Sequence, residues 1–394
     1  MLFFAFACSS SNKKSKEERL VEQLANIRSG DKIELEAGVY NLTSPIKIIG
    51  VKDVKISGKG MGKTILQYNQ NKKPNSLILL DSADVTLCKF SIRCSDQSGV
   101  ICRKTKDVTF KDLEISWVNN TQPLGQFEGI SAFSNNKFVL EHCTVTGFPG
   151  AGMSIESCTE FAIRKNRLEK NLLGIKIFNS SYGEIYDNQC TKNNLGLLLE
   201  NIPEESWTNG KNIRVFNNNI SENEIMFNPG FYEPKWSLAL GVGILIETYT
   251  YIDVYNNKIK NNAFLNLGIK SSSLTDDAHR PKDFDLYYSS ISVHDNDFEK
   301  SRGEYSSGEN FIQIISKQFG KNVPDIVLDG TVDPATIDQY GNIGERFRIC
   351  IRRNINASVG VLKIEKPFYS ESDTLFDCDM KRPLRAAFPH ESNF

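Results

Sequence analysis

Ile163-Arg164-Lys165-Asn166-Arg167-Leu168, followed by Gly174-Ile175-Lys176-Ile177, is one copy of a block that recurs eight times along the chain. Val254-Tyr255-Asn256-Asn257-Lys258-Ile259 with Gly268-Ile269 is another. The shared pattern is apolar-x-x-Asn-x-apolar, then x-x-Asn, then Gly-apolar-x-apolar. Aligned on the first Asn, the copies fall at Phe90, Leu113, Cys143, Asn166, Asn188, Asn218, Asn257 and Asn296, in steps of 23, 30, 23, 22, 30, 39 and 39 residues. A smallest step near 22, with longer steps that only add residues, is the behaviour of a solenoid whose coils keep their stacked strands and accept insertions at corners.

Within each block apolar and polar residues alternate, the period of a strand with one buried face. One inward column runs Leu87, Phe110, Leu140, Ile163, Ile185, Val215, Val254, Val293. A second runs Ile92, Ile115, Val145, Leu168, Cys190, Ile220, Ile259, Phe298, and a third Val100, Ile130, Met153, Ile175, Leu197, Ile244, Ile269. Three short strands per coil predict an all-β fold, a single right-handed parallel β-helix. Asn suits the repeated corner because it tolerates left-handed backbone and its amide can hydrogen-bond to the coils above and below. Phe90, Leu113 and Cys143 make that corner apolar in the first three coils.

A chain of 394 residues with formal net charge −1 and no sustained basic stripe argues against nucleic acid or an anionic membrane surface as the main partner. Residues 1–16 read as a lipoprotein signal remnant and tether, with Ala5-Phe6-Ala7-Cys8 placing lipidation at Cys8. An ordinary truncated signal peptide is the alternative, and either version exports the protein to the periplasm or outer membrane of a bacterium. Residues 17–300 read as the β-helix, with a capping helix over Glu17 to Arg28. Residues 301–394 read as a final coil, an irregular C-terminal cap and a tail. Export permits disulfides. Cys102, Cys143 and Cys190 fall in inward columns, Cys88, Cys94 and Cys158 stay undecided near corners, and Cys350 with Cys378, outside the coils, is the expected disulfide.

The opening Gly30-Asp31-Lys32-Ile33-Glu34-Leu35-Glu36-Ala37-Gly38-Val39-Tyr40, together with Val54 to Leu66, Asn212 to Asn218, Pro324 to Pro334 and Arg348-Ile349-Cys350, resembles the exported bacterial parallel β-helix repeat proteins of the pectate-lyase-like superfamily. The resemblance spans most of residues 30 to 380. It implies a fold shared with pectate and alginate lyases, mannuronan epimerases, polygalacturonases and a periplasmic helper for copper-enzyme maturation. It brings no catalytic residues to carry over, and fold alone does not choose among these activities.

Four insertions, Asn119 to Phe127, Ile202 to Lys211, Glu224 to Leu240 and Ser271 to Ser289, are where function is expected on a rigid scaffold. Asp276, Asp277, His279, Arg280 and Asp283 form the densest polar cluster. His279 could serve as base, Arg280 as anion clamp, Asp283 as a further catalytic candidate, and the aspartates as Ca²⁺ ligands. A solvated polar loop accounts for the same run. Trp207, Tyr232, Trp236 and Tyr249, with Phe231, Tyr251, Tyr287, Tyr288 and the carboxylates Glu247, Asp276 and Asp277, suggest a sugar-binding wall, if the loops of neighbouring coils align. The same aromatics could simply pack loops onto the coils. Carboxylate pairs Glu247 with Asp253 and Asp295 with Asp297 are hydrolytic candidates, although the second flanks a corner. The four histidines show no paired ligand spacing for copper or zinc. The sequence therefore points to a face that binds, and could modify, an extended polysaccharide. The alternative is a structural or assembly protein of the cell envelope that docks a protein partner.

Overall fold

The computed structural model describes residues 14–68, 76–118, 127–203, 209–224, 239–272, 282–304, 310–362, 368–370, 376–380 and 382–384. One coil shows how the sequence builds the rest. Strand Thr159–Arg164 buries Phe161 and Ile163, Arg167–Glu169 buries Leu168, and Leu173–Phe178 buries Ile175 and Ile177. The chain then enters the next coil at Ser181–Tyr186, paired in parallel with Thr159–Arg164. The chain is mostly strand, in long parallel sheets stacked as a right-handed β-helix.

Both first columns stand in file. Leu87, Phe110, Leu140, Ile163, Ile185, Val215, Val254 and Val293 are successive register partners. Ile92 to Phe298 follow the same rule. The third column holds from Val100 to Ile244 but then departs from expectation, because Ile244 faces Leu267, while Ile269 faces Ile246. The cause is Asn266, which takes the place that glycine holds in earlier coils. A Cβ on Gly174 would lie 2.4 Å from the Gly196 carbonyl, and one on Gly243 would lie 2.6 Å from the Asn266 carbonyl. The shift is two residues, so every apolar side chain still points inward.

The corner Asn works by hydrogen bonding and not by backbone tolerance. The left-handed residue is the one before it, Lys165, Asp187, Asn217, Asn256 or Asp295, with φ of 54° to 56°. Each Asn amide donates to the next along Asn166, Asn188, Asn218, Asn257, Asn296 and Asn354, at 2.9 to 3.0 Å. Each acceptor oxygen also takes the backbone N–H of the preceding Asn, a donor that the sharp corner would otherwise bury unpaired. A second ladder, Asn171, Asn193, Asn223, Asn262 and Asn266, serves the next corner. In the early coils Phe90, Leu113 and Cys143 fill the first corner, all buried. Strands Ala83–Cys94 and Lys106–Trp117 run straight through it.

Helix α1 (Lys16–Ala25) closes the N-terminal end with buried Leu20 and Leu24, held by a capping box between Ser15 and Glu18. At the other end the coils outlast the visible repeat. Ile326–Leu328, Ile349–Arg352 and Val359–Val361 stay in parallel register with Leu265–Lys270, Ser289–His294 and Ile326–Leu328. Cys350 thus lies within a coil, contrary to its expected place outside the coils. Phe368–Ser370 then pairs antiparallel with Val359–Val361. Helix α2 (Asn310–Phe319) packs Phe311, Ile312 and Ile315 onto a second apolar cluster with Leu198, Leu245 and Val327, outside the main core. The outer face of the sheet containing Leu195–Glu200 and Val242–Glu247 is therefore covered in these coils. No helix among the described residues is long and apolar enough to cross a membrane.

Candidate functional site

The outer face of the first-strand sheet carries a different pattern. Two residues before each ladder Asn, and before Leu113 and Cys143 at the same corner, the outward side chain stacks on its counterpart in the next coil, giving the file Lys111, Glu141, Arg164, Tyr186, Phe216, Tyr255, His294, Arg352. Two residues earlier again, Glu184, Arg214 and Asp253 form a parallel file.

The rings of Tyr186, Phe216, Tyr255 and His294 lie nearly parallel, with successive centroids 4.8, 5.0 and 5.3 Å apart. Each inner ring thus has its faces covered by its neighbours and turns its edge outward. Arg164 reaches the Tyr186 hydroxyl at 2.9 Å and Glu141 at 2.8 Å, and Lys111 meets the same carboxylate at 2.8 Å. Burial works against the Glu141 charge, but the hydrogen bond from Lys111 and the charge of Arg164 outweigh it, so its carboxyl lies below the ordinary range. Arg214, 2% exposed, binds Glu184 at 2.8 Å and the Tyr255 hydroxyl, and its guanidinium lies over the Phe216 and Tyr255 rings.

His294 is held at both ring nitrogens, by Asp253 at 3.0 Å and Asp295 at 2.6 Å. A neutral imidazole donates from only one nitrogen, so both bonds need the imidazolium. Burial opposes that charge, yet the two carboxylates overcome it and raise the pKa. Asp295 is gripped in turn by Arg353 at 2.8 Å through two nitrogens. Those bonds, and then that from His294, hold its carboxyl far below the usual range. Burial lifts the Tyr255 phenol above its ordinary pKa, with Arg214 opposing. With both bonds made His294 is an imidazolium, and burial favours the neutral phenol at Tyr255. Arg214 Nε and Asp253 Oδ2 are buried without a hydrogen-bond partner among the described residues.

Of the described residues expected from sequence, Asp253 and Asp295 lie at this face, as the partners of His294, and Tyr249, Glu247 and Asp283 do not. Tyr249, expected on the wall, is fully buried, its hydroxyl donating to the Ser180 carbonyl at 3.1 Å. Its side chain fills the corner between coils and is unavailable to a ligand. Tyr288 is also buried. Glu247 pairs with Lys270 at 2.9 Å on the other sheet, Asp253 with His294, and Asp297 with Lys260 at 2.6 Å, so neither proposed carboxylate pair is assembled. Asp283 is exposed, and its backbone carbonyl accepts from Asn209 at 2.9 Å. That bond does join two of the insertions. The other two insertions leave the coils at a different corner, before the third strand. Cys8, Trp207, Phe231, Tyr232, Trp236, Asp276, Asp277, His279 and Arg280 lie outside the described residues. Among the described residues no group of three or more His, Cys, Asp or Glu side chains is placed to hold a metal ion. Cys350 and Cys378 form a disulfide, and the free cysteines Cys88, Cys94, Cys102, Cys143, Cys158 and Cys190 are buried.

The right-handed beta helix region family matches residues 98–303, more than half the chain. The chain belongs to this right-handed β-helix family. No curated protein matches it in sequence. Among solved structures it is similar to the A-module of the Azotobacter vinelandii mannuronan C-5 epimerase AlgE4, with 12% identity and a TM-score of 0.55 over 83% of this chain and 86% of that one. The A-module of AlgE6 from the same organism gives 12% identity and a TM-score of 0.56 over 85% and 87%. At this identity the likeness establishes the β-helix fold and assigns no residue a role.

Proposed function

We propose that this β-helix protein binds an extended acidic polysaccharide along the outer face of its first-strand sheet. The observation that carries the reading is the single file in which Arg164 and Arg352 bracket Tyr186, Phe216, Tyr255 and His294. Stacked rings offer outward their edges, which are electropositive and suit carboxylate and hydroxyl oxygens. Cations at both ends and the charged His294 reinforce that preference. The two epimerase modules that share the fold are named for acting on mannuronan, an acidic polymer, which supports the same substrate class.

The test is retention of a polyuronate such as alginate or polygalacturonate against neutral dextran. Wild type should retain the polyuronates selectively, and Arg164→Ala and Phe216→Ala should each weaken retention roughly tenfold, the equivalent of ~1.4 kcal/mol. Equal retention of both polymers, unchanged in the variants, removes the proposal.

A second reading, modification of the bound polymer, is favoured by the juxtaposition of His294, Tyr255 and Asp253. Removal of a proton beside a uronate carboxylate needs a base and a positive charge at the same place; the Asp253 carboxylate, whose Oδ2 is unpartnered among the described residues, would take the proton, and the His294 imidazolium would stabilise the anion left behind. Incubation in deuterated water tests it: label in the polymer or unsaturated products supports it, and neither eliminates it. We also propose that the protein acts outside the cytosol, in the periplasm or at the outer membrane. The Cys350–Cys378 disulfide supports this placement, since such bonds persist in oxidising compartments.

A further inference from the structure

Residues 376–380 and 382–384 lie near one end of this face. Cys350 points outward from its strand, and its disulfide to Cys378 fixes the segment there. One residue on, Asp379 forms an ion pair with Arg352, the last cation of the file. Arg382 then lies over the Tyr255 ring, 5.4 Å from its centroid. Tyr255 is only 8% exposed.

The Asp379 side chain is 80% exposed, and an ion pair so open to water is weak alone. The neighbouring disulfide makes the contact intramolecular, and a covalent tether of this kind raises the effective concentration of a weak group to the millimolar range. The arrangement has the two properties of an internal ligand: a carboxylate on the cation that would read a carboxylate, and a bond that is easily exchanged.

Resting on the binding face proposed above, we propose that Cys378 to Arg382 is a tethered competitor whose Asp379 carboxylate occupies the Arg352 subsite until a uronate carboxylate displaces it. A competitor seated in about nine molecules of ten lowers apparent affinity about tenfold.

The experiment compares full-length wild type with Asp379→Asn/Arg382→Ala, which keeps the disulfide, and with Cys350→Ser/Cys378→Ser, which frees the segment. Alginate affinity is measured alongside nitration of Tyr255 by a tyrosine reagent, located by mass spectrometry. Both variants should bind alginate several-fold more tightly and should nitrate at Tyr255 faster than wild type. Adding Arg352→Ala to the first variant should abolish the gain. Unchanged affinity and nitration in the Asp379→Asn/Arg382→Ala protein, with Phe216→Ala still weakening alginate binding, overturns the competitor and leaves the binding face intact. Faster nitration with no alginate bound by any variant overturns the binding face, and the competition with it. The Asp379→Asn/Arg382→Ala arm keeps the test decisive if the cysteine variant fails to fold.

Discussion

Tyr255 stacks on His294 with centroids 5.3 Å apart and ring planes 5° from parallel, joining two coils whose sequences put them 39 residues apart. The contact exists because the corner Asn, two residues after each ring, fixes where every strand ends.

His294 gains two carboxylate partners on folding, so its folded pKa stands above its ordinary 6.5. A raised pKa gives stability that is complete below the unfolded value and is lost as pH rises through the folded one. Melting temperature should therefore fall as pH is raised above about 6.5. In His294→Phe that part of the slope should vanish. Imidazole NMR gives the folded pKa directly, and a value at or below 6.5 would contradict the clamp.

Asn218 accepts from Asn188 at both the backbone and the amide and donates onward to Asn257. Asn218→Ala strands buried donors at mid-solenoid and should destabilise by about 2–4 kcal/mol, since each buried unsatisfied group costs roughly 1–3 kcal/mol. Asn354→Ala, at the end of the ladder, should cost less. Urea unfolding compares them, and equal losses would mean that the ladder adds nothing beyond single bonds.

Arg214→Met keeps the stem but leaves the Glu184 carboxylate without its guanidinium, a pair whose side chains are 3% and 14% exposed. Breaking a pair this buried should cost about 3 kcal/mol. Glu184→Gln added to it should recover part of that loss. A double variant as unstable as the sum of the singles would show that the two do not act as a pair.

Burial pushes the thiols of Cys102, Cys143, Cys158 and Cys190 up to about 12. Thiolate is the reacting form. A disulfide reagent should leave all four unlabelled in native protein at neutral pH and label them on denaturation. Fast native labelling at any of them would place it outside the core.

Much of the architecture was legible because burial repeats. Leu87 to Val293 are all aliphatic or aromatic, and a single sequence displays such a column once it is aligned on Asn166 and its equivalents. The third column slipped at Ile269 because Gly268 mimics the glycine of the motif while Asn266 does its work. The stacked outward file was missed for the opposite reason: Arg164, Tyr186, Phe216, Tyr255 and His294 share a position but not one residue type. The same alignment contains them, two places before each ladder Asn. The insertions stand out instead because their composition is unusual, whereas a file on a strand face is visible only when coils are stacked side by side. Tyr249 shows the cost of judging by residue type, since its ring seals a corner.

The reversed direction of Phe368–Ser370 sets a boundary of another kind. A parallel stack offers the same edge at every level and has no inherent stopping point. One strand running the opposite way breaks that parallel template at the end of its sheet. The file from Lys111 to Arg352 spans seven steps on the neighbouring sheet, about 34 Å at ~4.8 Å per step. Under the binding proposed above, a face of that length would span only a short run of polymer.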